Sequence, residues 1–104
     1  MMPPRPIKLM PDYECFPLWW DTAHPYCTEV GNIDPASLGV SAQLVADLNA
    51  WAADFDASLD WDDPGGTVVD ERSEAAFRAR GADLAARLAA ELGPTAIVRY
   101  AYQD

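Results

Sequence analysis

The chain has 104 residues, and seven Lys and Arg against seventeen Asp and Glu give it a formal net charge of −10 at pH 7. Half of the residues are apolar, which is enough for one domain of this length to bury a core, so global disorder is not expected. The acidic balance argues against nucleic-acid binding, and no apolar run reaches the ~20 residues of a membrane span or forms a secretory signal, so we expect a cytoplasmic protein without a membrane partner.

The first 40 residues hold seven of the nine prolines, which disfavours helix and predicts strands joined by turns. Residues 7–10 predict one strand, and residues 16–20 predict a second with Pro17 at its start or on an edge. Trp19 and Trp20 are adjacent, and neighbouring side chains of an extended segment point to opposite faces. We therefore expect one tryptophan in the core and the other on an exposed or partner-facing surface.

Two alanine-rich segments follow, each with an apolar stripe of helical period. They predict a helix over residues 41–61 with Ser41 as its N-cap, an acidic loop over 62–70, and a helix over 71–92 that stops at Gly93. Gly81 lies on the second stripe and predicts a close crossing with another element, since glycine is unfavourable within a helix. Ion pairs four residues apart are expected on the wet face of this helix: Glu74 with Arg78, Asp83 with Arg87, and Arg87 with Glu91.

Residues 95–102 are β-branched and aromatic and predict a last strand. Together these elements predict a single α+β domain over residues 1–104. Its small β-sheet is formed by N-terminal strands and a C-terminal strand, and it packs against an antiparallel two-helix hairpin.

The charge is unevenly distributed, because residues 9–71 contain thirteen acids and neither Lys nor Arg. A field of one sign speeds the capture of a basic partner, although an acidic surface also serves solubility alone. We interpret Trp19 or Trp20 as an apolar anchor for such a partner. The steering and ion-pairing groups are then six aspartates: Asp47, Asp54, Asp56, Asp60, Asp62 and Asp63.

Two metal sites are alternatives. Asp60, Asp62 and Glu71 occupy positions 1, 3 and 12 of a segment with glycine at position 6, as in a calcium-binding EF-hand loop, but Pro64 stands where an oxygen ligand is wanted. Cys15, His24 and Cys27 offer zinc ligands, but their spacing lacks the tight pair of cysteines found in structural zinc sites. No motif frames a catalytic residue, so no enzyme activity and no cofactor are predicted.

Several segments together resemble a family of small uncharacterised bacterial proteins, frequent in actinobacteria: residues 8–13, 15–19, 32–35, 51–56, 62–64 and 91–93. The resemblance covers nearly the whole chain and implies no activity. In size and charge alone, the chain also resembles immunity proteins and inhibitors that neutralise basic toxins. We therefore predict a non-enzymatic acidic binding protein, an inhibitor or immunity-type partner of a basic protein, monomeric or weakly dimeric. The alternatives are a single-loop calcium-binding protein and a small enzyme of unspecified reaction.

Overall fold

The computed structural model describes residues 4–57 and 71–101. The described residues contain two α-helices and four strands, in the order β1 (Arg5–Leu9), β2 (Leu18–Trp20), β3 (Asn32–Ile33), α1 (Ala42–Ala57), α2 (Glu71–Leu92) and β4 (Ala96–Tyr100). Short 3₁₀ helices at Pro35–Leu38 and Gly93–Thr95 precede α1 and β4. Neither helix combines the length and the apolar content that crossing a membrane requires.

The strands form one mixed sheet in the order β3-β2-β1-β4. β1 is antiparallel to β2 and parallel to β4, and the short β3 is antiparallel to β2. The N-terminal strands and the C-terminal strand therefore share one sheet, in which β1 lies between β2 and β4.

β1 begins two residues earlier than the sequence predicts and includes Pro6, although proline is unfavourable in a strand with neighbours on both sides. The Pro6 carbonyl accepts a hydrogen bond from the N–H of Asp21 at 3.0 Å. The carbonyl of Asp21, which an N–H at position 6 would otherwise serve, accepts from the N–H of His24 at 3.0 Å. The turn after β2 thus supplies the donor that proline lacks.

Both helices pack on one face of the sheet and bury the core there. The core joins sheet residues to the two predicted helical stripes: Ile7, Leu9, Leu18 and Ile33 with Leu44, Leu48, Trp51, Leu84 and Leu88. Contacts between the helices run in opposite directions along the chain, since Asp47 pairs with Arg87 and Asp54 with Arg80. The predicted α+β fold, a small sheet packed against an antiparallel helix hairpin, is confirmed.

The start of α1 is joined to the end of α2. Ser41 caps α1, as predicted, because its Oγ accepts from the N–H of Leu44 at 3.2 Å. Its own N–H and hydroxyl donate to the two carboxylate oxygens of Glu91, at 2.7 and 2.8 Å. The Ser41 N–H, followed by the hydroxyl, lowers the pKa of Glu91 below its ordinary value.

Of the three predicted ion pairs along α2, only Glu74–Arg78 is present, at 3.3 Å. Arg87 extends to Asp47 of α1 instead of pairing with Asp83 or Glu91. The prediction of those two pairs was wrong because it considered only neighbours on the same helix. α1 offers Arg87 a carboxylate at 2.8 Å.

Candidate functional site

The two adjacent tryptophans lie on opposite faces of the sheet. Trp20 is opposite Ile7, on the face covered by the helices, and packs against the core with the Arg5 guanidinium 4.2 Å from its ring centroid. Trp19 is opposite Lys8, and its indole N–H donates to a backbone carbonyl of the β1–β2 loop at 3.0 Å. Trp19 is therefore the tryptophan on the face away from the helices, although both rings are half-buried.

Two of the aspartates predicted as steering groups form ion pairs within the molecule. Asp47 accepts from Arg87 at 2.8 Å, and Asp54 accepts from Arg80 at 2.7 Å. The hydrogen bond from Arg87, followed by one from Gln43, lowers the pKa of Asp47. Because each carboxylate already has a guanidinium beside it, its contribution to long-range attraction of a basic partner is small.

Asp56 lies elsewhere, in a cleft between α1 and the loop that joins β1 to β2. We call this feature the acidic cleft; it has a volume of about 360 Å³ and is lined by Glu14, Cys15, Phe16, Asn32, Asn49, Ala52, Ala53 and Asp56. The backbone N–H of Glu14 donates to Asp56 Oδ1 at 2.9 Å. Glu14 adopts a left-handed conformation, with φ of 60°. Two carboxylate-bearing residues from distant parts of the sequence thus line the same cleft.

Side chains of α1 and β3 fix the β1–β2 loop at the acidic cleft. Tyr13 stacks on Phe55, with ring centroids 4.4 Å apart. Asn32 accepts from the N–H of Phe16 at 2.9 Å and donates to the carbonyls of Phe16 and Leu18, at 2.7 and 2.8 Å. The backbone of Phe16 is therefore held in place while its side chain remains 41% exposed.

The negative charge at this cleft is not compensated within the described part of the chain. Each arginine whose side chain is described there has an acidic partner: Arg5–Glu29, Arg78–Glu74, Arg80–Asp54, Arg87–Asp47 and Arg99–Asp21. Asp12, Glu14 and Asp56 have no cationic partner among the described side chains. These three acids therefore contribute uncompensated negative charge around the cleft.

The same negative charges affect the pKa of the Cys15 thiol. Burial raises the pKa of Cys15, and the negative charges of Asp12, Asp56 and Glu14 raise it further. A raised pKa keeps the sulfur protonated at neutral pH, which is the opposite of the activation that a nucleophilic cysteine needs. The pKa of Cys15 therefore gives no indication of an activated cysteine in this cleft.

A different acid, Asp21, is structural. Its side chain is buried, with the residue 4% exposed, and accepts from Arg99 Nε at 2.8 Å and from Arg99 Nη2 at 3.0 Å. This two-point bond lowers the pKa of Asp21 and raises that of Arg99. It joins the end of β2 to β4 across β1 on the sheet face away from the helices.

Comparison with known families gives a match over residues 5–103, to the family described as Serratia CdiI immunity protein-like. The chain belongs to this family. Among curated proteins, no match is found. Membership of a CdiI-like immunity family supports an inhibitor role exercised through a protein partner. The resemblance seen in the sequence also covered nearly the whole chain, but it implied no function.

The metal ligands proposed from the sequence are separated in this CdiI-like chain. Within residues 4–57 and 71–101, no three His, Cys, Asp or Glu side chains meet as a metal site. The Cys27 thiol donates to the Glu29 carbonyl at 3.0 Å, and His24 Nδ1 accepts from the N–H of Tyr26 at 3.1 Å, while Cys15 lies in the acidic cleft.

The predicted calcium loop falls largely outside the described residues. Asp60, Asp62 and Asp63 lie in the part of the chain that the structure does not describe. All three were predicted as steering groups, and Asp60 and Asp62 were also the alternative calcium ligands. Glu71 is described only by its backbone, as the first residue of α2.

The sequence did not single out Glu14 and Phe16 of this immunity-family protein as a binding site. The relevant signal is their position: both belong to a short loop that contains two acids, a cysteine and two aromatic residues between proline residues 11 and 17. What the sequence does not show is that Asp56, 42 positions after Glu14, closes the other side of the cleft.

Proposed function

We propose that this chain is a non-enzymatic immunity-type inhibitor that binds a basic toxin protein in the cytoplasm. Its family supports the immunity role. The distribution of charge supports a basic partner, because the described arginines are neutralised internally while Asp12, Glu14 and Asp56 are not. This imbalance is the observation on which the proposal depends.

The uncompensated negative charge favours inhibition because it speeds the encounter with a basic partner. Uncompensated carboxylates attract an oppositely charged surface over about one Debye length, roughly 8 Å at physiological salt. Such attraction raises the rate of encounter more than the strength of the final complex. A toxin that uses a cationic surface to reach its target is then captured through that surface and covered by the inhibitor.

The first test identifies the toxin and asks whether the chain neutralises it. The tagged chain is used to capture proteins from a lysate of its host at low salt, and the proteins eluted at high salt are identified by mass spectrometry. Each captured protein is then expressed alone and together with the chain. We expect a basic protein that stops growth when alone and is harmless in co-expression. If no captured protein inhibits growth, or if co-expression does not restore it, the immunity role is contradicted.

A second measurement tests the electrostatic part separately. The association rate constant of the purified pair is followed by stopped-flow fluorescence at 0.1 M and 1 M salt, between which the Debye length falls from about 10 Å to 3 Å. We expect the rate constant to fall at least about tenfold. A rate constant that is independent of salt contradicts a basic partner but not the immunity role.

A further inference from the structure

We propose that the acidic cleft is the docking site for one arginine side chain of the toxin. This inference rests on the proposed function and extends it by naming the surface and the kind of residue that it binds. The cleft is open to solvent and has a volume of about 360 Å³, so a side chain of a partner can reach the residues that line it.

The two carboxylates of the cleft provide oxygens that can bind a cation. Asp56 uses Oδ1 to accept from the Glu14 backbone, which leaves Oδ2 and both carboxylate oxygens of Glu14 without a described cationic partner. Two like charges lining one cleft repel each other, and a cation placed between them removes that repulsion. A guanidinium offers several donors in a planar fork that matches carboxylate oxygens.

The apolar part of the cleft favours arginine over lysine. The exposed Phe16 and the apolar Ala52 and Ala53 of α1 line the same cleft as Glu14 and Asp56. A guanidinium stacks on an aromatic face and is weakly hydrated, whereas an ammonium is a compact and strongly hydrated charge. A cleft that combines an aromatic residue on a fixed backbone with carboxylates therefore fits arginine best.

The arginines described in this chain do not fill the cleft. Each is paired with an acid elsewhere, and none pairs with Glu14 or Asp56. Lys8 lies opposite Trp19, on the sheet face away from the helices. Within residues 4–57 and 74–101, no side-chain cation complements the cleft, and in the proposed function the basic toxin supplies one.

The test uses the full chain, labelled with ¹⁵N, and the peptide acetyl-Gly-Arg-Gly-amide as probe. The matched probe carries citrulline, which has nearly the same shape but no charge. We expect the arginine peptide to shift the amide resonances of Glu14, Phe16 and Asn49, and the citrulline peptide to leave them unchanged. Equal shifts with both peptides, shifts confined to other surfaces, or no shift overturn the inference.

Two variants test whether the carboxylates of the cleft bind the arginine peptide. Glu14→Gln combined with Asp56→Asn removes both charges but keeps an oxygen that accepts from the backbone of residue 14. We expect it to weaken peptide binding at least about fivefold, as loss of two exposed charge partners implies. Asp83→Asn removes one exposed charge from α2, outside the cleft, and is expected to bind as the wild type does. Urea unfolding checks that the double variant remains folded, and equal binding by all three proteins overturns the inference.

The same variants separate this inference from the proposed function. If the wild-type chain and the double variant protect equally against the captured toxin, with equal dissociation constants, the immunity role stands and the cleft is not the docking site. If the wild-type chain neutralises no toxin but the arginine peptide still binds at the cleft, the cation site stands and the immunity role fails.

Discussion

Gly81 offers a stringent test of the packing between α2, α1 and β4. The sequence predicted a close crossing here, and the structure confirms it. A methyl group added at Gly81 meets the Tyr100 hydroxyl, the Tyr100 Cζ at 2.7 Å and the Trp51 Cζ2 at 2.6 Å. Trp51 has no room to move, because it is fully buried and stacks on Phe77, to whose carbonyl its indole N–H donates at 2.9 Å.

The expected effect of Gly81→Ala is the sum of three contributions to the free energy of unfolding. Overpacking a filled core costs about 1–3 kcal/mol. Displacing the Tyr100 hydroxyl breaks its hydrogen bond to the Arg78 carbonyl, 3.0 Å long, which costs about 1 kcal/mol more. The higher helix propensity of alanine returns about 1 kcal/mol. We therefore expect a net loss of about 1–3 kcal/mol, or roughly 4–20 °C in Tm for a domain of this size.

The assay is urea unfolding followed by circular dichroism. Ala82→Gly, at an exposed position of the same helix, measures the propensity contribution alone and is expected to destabilise by about 1 kcal/mol. Adding Tyr100→Phe to Gly81→Ala removes the nearest atom and should recover part of the loss. If Gly81→Ala instead raises the free energy of unfolding by the propensity gain, the packing described here is wrong.

Three further predictions concern charge and capping. Asp21→Asn removes the bond to the half-exposed Arg99 and should lower the free energy of unfolding at pH 7 by about 1–2 kcal/mol. The pKa of Asp21 is lowered in the folded state. Its contribution to the free energy of unfolding is therefore complete above the pKa of the unfolded state, about 3.9, and is lost as the pH falls through the pKa of the folded state. The urea midpoints of the variant and the wild type should accordingly converge below about pH 4. Asp12→Asn should lower the pKa of Cys15 part of the way to its ordinary value, because it removes one of the negative charges that raise it. The pH profile of the thiol alkylation rate should then shift to lower pH. An unchanged profile would contradict the effect of Asp12 on the cleft. Ser41→Ala removes the cap of α1 and should cost about 1 kcal/mol in thermal unfolding, whereas an unchanged Tm would show that the cap contributes nothing.

The fold was predictable from the sequence where the signal is short in range. The spacing of Leu44, Leu48 and Trp51 places them on one side of any helix, and the structure buries all three. The same holds for Leu84 and Leu88. Their burial requires an apolar partner surface but not a particular one, so periodicity alone was sufficient.

The partners of individual side chains were not predictable in this way. Arg87 has acids four residues away on both sides, yet it pairs with Asp47, 40 positions earlier. The placement of Asp56 beside Glu14 likewise depends on where α1 passes the β1–β2 loop. Such contacts follow from the relative position of whole elements, about which local propensity carries no information.

The bonding partners of Asn32 were also not predictable from the sequence. In the sequence it is one polar residue between Gly31 and Ile33. In the structure it replaces backbone pairing between β3 and the loop, because its amide bonds both backbone groups of Phe16 and the carbonyl of Leu18. Asn32→Ala is predicted to release the loop that forms one side of the acidic cleft.

The parallel pairing of β1 with β4 also sets when the sheet can be completed during synthesis of the chain. Arg5 is opposite Ala96, 91 positions later, so β1 lacks one neighbour until β4 has been synthesised. At about 5–20 residues per second, that delay is on the order of 5–18 s. A partly synthesised chain has only the β3-β2-β1 part of the sheet, while the β1–β2 loop contacts α1 and β3, which precede β4 in the chain. The earliest point at which the four-stranded sheet can be complete is therefore the end of the synthesis of β4.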